Sequence, residues 1–387
     1  MPPKSIDLNF PKPSGPVDLL VVAGDTSGDE HAALWVKSLK QKYPKVAVAA
    51  LGGEGLAESG AQLLYRLTDH AVIGFVEVLH QYAALRAVFE ALIAWVRDYQ
   101  PKRLCLVDYP GFNLRVAKHL KEEGISKKGG GSVEVLYYVA PQVWAWKAKR
   151  RFMMAEVLDA LAVIFPFEVD VFKDTSLPTT FVGHPFVADG HLPQFHYAPD
   201  APLLLLPGSR RGAVAKIFPI LLASFCRWRR QHPGARAVVA YPNDSIRQLL
   251  ERLLEQNRGS EAVTLSKCQP GQTGRAALMS SGTISLSAAL AGIPGTIVYR
   301  THPSTYWLAR ALAKVAYIGI ANLLLNEPLY PEYIQDRAKP RLLQSELDSL
   351  FNSTERLERT QSATVRLRSL LRSDATMAPE DWVMAER

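Results

Sequence analysis

Cysteine is scarce. The 387-residue chain has three, Cys105, Cys226 and Cys268, far apart and without a Cys-x-x-Cys spacing. That excludes a disulfide framework and a thiolate metal site, and it fits a reducing compartment. Long apolar runs are missing as well. A bilayer-spanning helix needs about 18 or more uninterrupted apolar residues, and the nearest candidate, residues 83–96, is broken by Arg86 and Glu90. The first 16 residues carry five prolines and no apolar run, which is unlike a secretory leader. Nor is acid in surplus: 45 Lys and Arg stand against 37 Asp and Glu, a net charge of +8. Basic chains attract polyanions, whether nucleic acid, anionic lipid or phosphorylated substrates. The cations are spread through the chain and no nucleic-acid-binding module accompanies them, so no nucleic-acid partner is expected. The expectation is a soluble cytoplasmic protein.

What is present is a long alternation of strands and helices. With 48% hydrophobic and 21% charged residues the chain is globular, and it is long enough for two cores. Residues 17–23 read as a buried strand, the glycine-bearing turn 24–29 follows, and a helical pattern runs through Leu34, Val36 and Leu39. Strands at 46–51, 103–107, 133–139, 161–164 and 179–182, with helices at 82–98 and 114–121, continue this first series. Residues 127–131 (KKGGG) read as a flexible surface loop, and the proline-rich segment 193–202 as a linker. A second series follows, with strands at 203–206, 237–240, 263–265 and 296–299 and helices at 217–229, 245–256 and 305–314. Residues 282–287 precede a helix through Ala291. The fold class is therefore α/β, two Rossmann-like doubly wound domains whose strand ends surround one crevice. The expected bounds are 1–192, 193–343 and a charged helical tail, 344–387, with little to bury, packing back across the boundary.

Five segments carry candidate chemistry. The turn Gly24-Asp25-Thr26-Ser27-Gly28-Asp29 could hold an anion on free helix-start amides, or be a capped turn with Ser27 or Asp29 as N-cap. It lacks a P-loop lysine. Asp108 ends a strand, where it could serve as general base or merely accept amide bonds before Pro110. Gln142, Trp144 and Trp146 lie beside the basic run 147–151, a mixture suited to acyl chains and phosphates, although tryptophans also fill cores. In Pro207-Gly208-Ser209-Arg210 the arginine could clamp a diphosphate or sit idle on the surface. Ser281, Gly282 and Thr283 offer hydroxyls and a glycine at a helix start, for nucleotide or for capping.

These segments, in this order, resemble the lipid-A-disaccharide synthase family. Residues 23–29 (AGDTSGD) are similar to its AGxxSGD, 74–79 (GFVEVL, with Glu77) to its MGxxEVL, and 107–113 (VDYPGFN, with Asn113) to its IDxPDFN. YVAPQVWAWKAKR, FPFE (165–168), FVGHP, LLPGSRR, SSGTISLSAAL and NLLLNEPLYPEYIQ (322–335, with Asn322, Glu332 and Gln335) complete the series. The resemblance implies a GT-B fold and inverting transfer of 2,3-diacylglucosamine from its UDP ester to 2,3-diacylglucosamine 1-phosphate, lipid X. Asp108 is implied as the base and Arg210 as the partner of UDP's departing phosphate. Ser27, Gly28, Asp29, Glu77, Asn113, Gln142, Trp144, Trp146, Gly208, Ser209, Ser281, Gly282, Thr283, Asn322, Glu332 and Gln335 are implied as substrate contacts. No metal and no cofactor are implied. Peripheral attachment to the cytoplasmic face of the inner membrane and a homodimer complete the expectation. The chain departs from the pattern at Asp25, Ala32 and Gly111 (family Asp), and carries Ser287 where GT-B relatives usually have a glutamate. Those departures motivate an alternative, a non-catalytic or substrate-divergent GT-B paralogue that binds a UDP-sugar.

Overall fold

Five consecutive apolar residues, all buried, make Leu19–Ala23 a central strand, β1. A strand buried on both faces belongs in a parallel sheet covered by helices, and the computed structural model bears this out. It describes residues 8–68, 78–145, 147–257, 260–302, 316–372 and 377–387. After β1 come α1 (Thr26–Lys42), β2 (Val48–Gly52), α2 (Glu54–Glu58), β3 (Gln62–Arg66) and α3 (Val78–Tyr99). Then follow β4 (Arg103–Val107), α4 (Pro110–Glu122), β5 (Glu134–Tyr138), α5 (Arg150–Val157), β6 (Ala160–Val163), α6 (Glu168–Phe172) and β7 (Thr179–Phe181). The seven strands are parallel in the order β3-β2-β1-β4-β5-β6-β7.

The second series begins with β8 (Phe195–Tyr197), β9 (Leu203–Leu206), α7 (Arg211–Arg229), β10 (Ala237–Tyr241), α8 (Asp244–Glu255) and β11 (Val263–Lys267). It continues through β12 (Gln272–Gly274), β13 (Ala276–Met279), α9 (Thr283–Leu290), β14 (Gly295–Tyr299), α10 (Ile320–Leu325) and β15 (Glu332–Ile334). Its main sheet is parallel in the order β11-β10-β9-β13-β14-β15, and β8 pairs with β12. Three helices close the chain: α11 (Pro340–Asn352), α12 (Thr354–Arg372) and α13 (Pro379–Met384). Two compact units result, Met1–Gly190 with Leu371–Arg387, and His191–Leu370.

Several expectations need correction. Residues 282–287 are not a segment ahead of a helix, because α9 starts at Thr283 and the strand before it is Ala276–Met279. A run of three or four small apolar residues is too short for periodicity to single out. The expected helix at 305–314 lies outside the described residues. The KKGGG segment is no loose loop. It forms a 3-10 turn in which a Cβ on Gly129 would stand 2.3 Å from the Lys121 carbonyl oxygen, and one on Gly131 2.1 Å from that of Ile125. The tail also has more to bury than its charge indicates. Leu343, Leu347 and Leu350 line up along α11 and sink into the core around α7, while Thr360, Ala363, Leu367 and Leu371 form a narrow stripe on α12.

In the first unit, α13 seals the amino edge of the sheet. Trp382 and Val383 are buried, and Arg103, at the start of β4, donates to the Ala385 carbonyl at 3.2 Å. The buried Glu134, at the start of β5, accepts from Arg103 at 2.9 Å and Lys127 at 3.3 Å, with Arg387 3.9 Å away.

Candidate active site

In an open parallel sheet, ligands bind beyond the carboxyl ends of the strands where the strand order reverses. In the first sheet that point lies between β1 and β4, which pair side by side. The turn after β1 holds Gly24 and Asp25; the turn after β4 holds Asp108. In the second sheet the reversal lies between β9 and β13. Gly208, Ser209 and Arg210 follow β9, and Ser281 and Gly282 follow β13. Each unit thus gathers its principal motifs at its own switch point.

Backbone strain marks the first of these points. Asp108 and Tyr109 have φ of 42° and 44°, and Val139, at the exit of β5, has 68°. Side-chain-bearing residues enter this region at a cost of about 1–3 kcal/mol each, and β-branched ones are outliers. The surroundings enforce it. The Asn113 amide donates to the carbonyls of Asp108 at 2.9 Å, Val107 at 3.0 Å and Val22 at 3.4 Å. The Tyr137 hydroxyl donates to the Asp108 carbonyl at 2.5 Å, and the Asp108 amide donates to Tyr138. Burial pushes the Tyr137 phenol well above its ordinary value, with the Asp108 charge adding to it, so the donor keeps its proton. Asp108 itself is half-buried. The ring of Tyr109 packs where a Cβ on Gly24 would stand, 2.1 Å away, locking the β1 and β4 turns together.

The turn after β1 resolves in favour of capping, with a different residue in the role. The N-cap of α1 is Asp25, which accepts from the Gly28 amide at 2.7 Å, rather than Ser27 or Asp29. Asp29 is 4% exposed, and its two oxygens accept from the amides of Gly53, Gly55 and Leu56 at 2.6, 2.9 and 3.3 Å, capping α2. Gly28 is buried, with a would-be Cβ 3.3 Å from Val107, so its closeness serves packing. Ser27 is exposed.

The same division recurs elsewhere. Asn113 is fully buried and braces the Asp108 turn. Asn322, also fully buried, exchanges bonds with Tyr330 at 2.7 and 2.9 Å. Glu332 accepts from Asn322 and from the amides of Ile318 and Gly319, at the start of α10. Gln335 bonds both backbone groups of Thr301, just past β14. Asp29, Gly28, Asn113, Asn322, Glu332 and Gln335 were expected to touch substrate; in the structure Gly28 packs against Val107 and the side chains of the other five bind backbone groups of these turns. A polar residue in a motif does not announce whether it faces outward, and the free backbone groups of buried turns claim the shorter side chains.

At the second switch point the groups stay uncommitted. Arg211 spends its guanidinium on Ser245, whereas Arg210 is exposed and has no side-chain partner among the described residues. Neither α7 nor α9 receives a side-chain cap. Their first-turn amides and positive dipole ends are suited to a phosphate. Gly208, at φ 99°, passes so close to β13 that a Cβ would meet the Ser280 hydroxyl at 2.9 Å. Ser209 and Thr283 are exposed, Ser281 and Gly282 half-buried. Ser287 is buried in α9, its hydroxyl 3.5 Å from Gln194.

Gln142 is exposed and Trp144 half-buried, its indole donating to Glu168 at 3.2 Å. Glu77 and Trp146 lie outside the described residues. Glu168 was read only as part of the FPFE segment. Its signal was a carboxylate directly closing the apolar run 160–167. Among the described residues no His, Cys, Asp and Glu cluster has the form of a metal site, and no helix is long and apolar enough to cross a membrane.

Known proteins with similar sequences and folds agree among themselves. The family model described as lipid-A-disaccharide synthetase matches residues 19–384. The lipid-A-disaccharide synthase of Geobacter metallireducens is 32% identical over 366 residues, 92% of this chain and 93% of that one. Lipid-A-disaccharide synthase 1 of Legionella pneumophila strain Lens is 34% identical over 95% of this chain and 97% of its own. In fold, the chain is similar to UDP-GlcNAc 2-epimerase of Neisseria meningitidis, solved with UDP-GlcNAc, with a TM-score of 0.59, 13% identity and coverage of 91% and 99%. It is also similar to the glycotransferase of kitacinnamycin, with a TM-score of 0.55, 13% identity and coverage of 97% and 99%. At that identity these structures speak to the two-domain GT-B architecture alone.

Proposed function

The chain belongs to the lipid-A-disaccharide synthase family, glycosyltransferases of lipid A biosynthesis, and from that premise we propose how its residues divide the work. The donor is UDP-2,3-diacylglucosamine and the acceptor 2,3-diacylglucosamine 1-phosphate. Asp108 takes the proton of the acceptor hydroxyl as that oxygen attacks the donor's anomeric carbon. The new carbon–oxygen bond forms while the bond from that carbon to the β-phosphate oxygen breaks, inverting the centre. The electron pair departs on UDP. Arg210 and the uncapped amides at the starts of α7 and α9 balance the charge that develops there, a task that needs no metal or cofactor. Gly208, Ser209, Ser281, Gly282 and Thr283 form the donor's phosphate cradle; Ser27, Gln142 and Trp144 serve the acceptor.

One observation carries the reading: the two charged groups each stand at the switch point of their own sheet, on the carboxyl side. A surface on α5 supports membrane contact. Phe152 is 44% exposed with the Arg151 guanidinium 4.4 Å from its ring centre, and Lys147 and Lys149 are exposed nearby in sequence. Arg151 is paired with Asp174, so the exposed ring and the neighbouring Lys147 and Lys149 are what suits the headgroup layer of an anionic bilayer, and peripheral attachment at the cytoplasmic face is part of the proposal.

The test is an assay with both acylated sugars, following UDP release and lipid product by mass spectrometry. Asp108→Asn and Arg210→Ala should each lower kcat by about 10²–10⁴-fold, with turnover insensitive to chelators. Release of UDP by the unaltered protein at no more than the Asp108→Asn level would reject the assignment.

A further inference from the structure

Three carboxylates are deeply buried among the described residues: Asp29, Glu134 and Glu168. Three backbone amides answer Asp29, and Arg103 and Lys127 answer Glu134. Glu168 differs. It is 1% exposed and makes no ion pair among the described residues. Its carboxyl accepts from the Trp144 indole and from the Phe165 amide, each at 3.2 Å. Aromatic rings wall it in. Phe165 and Phe167 stack at 5.8 Å, Trp144 meets Phe167 edge-on at 5.4 Å, and His184 lies 5.3 Å from Phe165. A buried carboxyl without a cation is destabilising relative to an apolar side chain of the same size. The Phe165 amide accounts for Oε2, and a reason is wanted for Oε1.

Trp144 supplies one. An indole has a single donor, and here it is fixed on Glu168, which sets the plane of a half-exposed ring at the exit of β5. That strand pairs with β4, whose exit carries Asp108. We propose that Glu168 is a positioning residue for the transfer, holding the Trp144 indole in the orientation against which the acceptor packs. The inference rests on the reading of Asp108 and Trp144 as parts of the acceptor site. A fixed aromatic face suits the apolar face of a pyranose or the first carbons of an acyl chain.

The chemistry of Glu168 adds a signature. Burial pushes its carboxyl up to about 8, and the negative charge of Asp108 pushes the same way. The other titratable groups around it are His184, beside Phe165, and Tyr137 on β5, on which Arg150 of α5 acts against the effect of Asp108. At neutral pH Glu168 is thus a neutral acid for most of the time. Above about pH 8 a second charge forms near that of Asp108, while the indole bond, which favours the ionised carboxyl, keeps the ring set.

Glu168→Gln keeps an oxygen for the indole and cannot ionise. It should retain kcat/KM at pH 7 to within about fivefold, the worth of one neutral hydrogen bond, and lose the inflection near pH 8 expected from ionisation of Glu168 beside Asp108. Glu168→Leu keeps the volume and removes the acceptor. It should raise the acceptor KM about tenfold or more with the donor KM little changed, and shift tryptophan emission in a way that a Trp144→Phe background abolishes. Circular dichroism and thermal melting verify that both variants fold. An acceptor KM at the original value in folded Glu168→Leu, or a Trp144 emission unchanged by that substitution, overturns the positioning role. Full turnover by Asp108→Asn would instead overturn the underlying reading of the base, a separate result.

Discussion

Asp108 and Tyr109 illustrate what a single turn can be made to do. Two neighbouring residues with side chains hold left-handed backbone because Asn113 and Tyr137 bind the carbonyl between them. The cost is local and the benefit is a carboxylate whose backbone cannot wander. Glu168 is the other informative residue, and it yields a stability prediction. Its carboxyl sits near 8 in the folded chain, against an ordinary 4.5. Between those values the native state keeps a proton that the unfolded state has released. The stabilising contribution is therefore complete below about pH 4.5 and is lost as pH rises through 8, with a slope of at most about 1.4 kcal/mol per pH unit. Denaturant melts of the unaltered chain and Glu168→Gln across pH 5–8 should show a shallower decline in the variant. Parallel declines would mean that Glu168 ionises normally. At this scale the sequence was partly legible. The placement of Asp108 and Arg210 at strand ends followed from residue pattern, whereas the duties of Asn113, Asn322 and Glu332 depended on which backbone groups lay within reach. Linear spacing does not contain that information.

At the scale of the element, the turns after β1 and β4 act as one piece. Gly24 is small so that the Tyr109 ring can occupy its Cβ position. Gly24→Ala should force that ring aside, cost about 1–3 kcal/mol as overpacking and lower activity. Gly111, one residue into α4, provides the contrast. It has nothing within 4 Å of a would-be Cβ, and Gly111→Ala should raise stability by roughly 0.5–1 kcal/mol through helix propensity alone. Thermal melting with parallel turnover assays checks both, and equal effects of the two substitutions would contradict the packing account. Strands buried on both faces, such as Leu19–Ala23, Arg103–Val107 and Leu203–Leu206, announced themselves as apolar runs. Ala276–Met279 did not, because half of its four residues are alanine, which carries little strand preference. The tail was misjudged because charge outnumbers apolar residues in α12, yet only one stripe of a helix has to be apolar.

On the scale of the whole molecule, both units repeat one plan: a parallel sheet, a reversal of strand order, and the principal motifs at the carboxyl ends. Pattern made this plan readable, and the ordered motifs made the family readable. The amino ends serve stability, and α13 is part of that. Deleting residues 379–387 would remove the buried Trp382 and take Arg387 and the Ala385 carbonyl from the Glu134–Arg103 pair. A loss of about 3–5 kcal/mol is expected, on the scale of removing a buried tryptophan. Cys105 offers a reporter. Burial pushes its thiol up to about 12, and it is fully covered in the intact chain. Labelling of Cys105, read by peptide mass so that the half-buried Cys226 and Cys268 do not contribute, should be negligible in the full chain and appreciable in the truncated one; equal labelling would show that α13 does not protect this edge.

The same tail has a practical reach. β4 runs five residues, about 17 Å at the usual strand rise, from the edge where Arg387 approaches Glu134 to the edge where Asp108 emerges. An affinity handle or surface tether attached behind Arg387 would therefore grip the first unit from its stable side, leaving the reactive rim open to lipid.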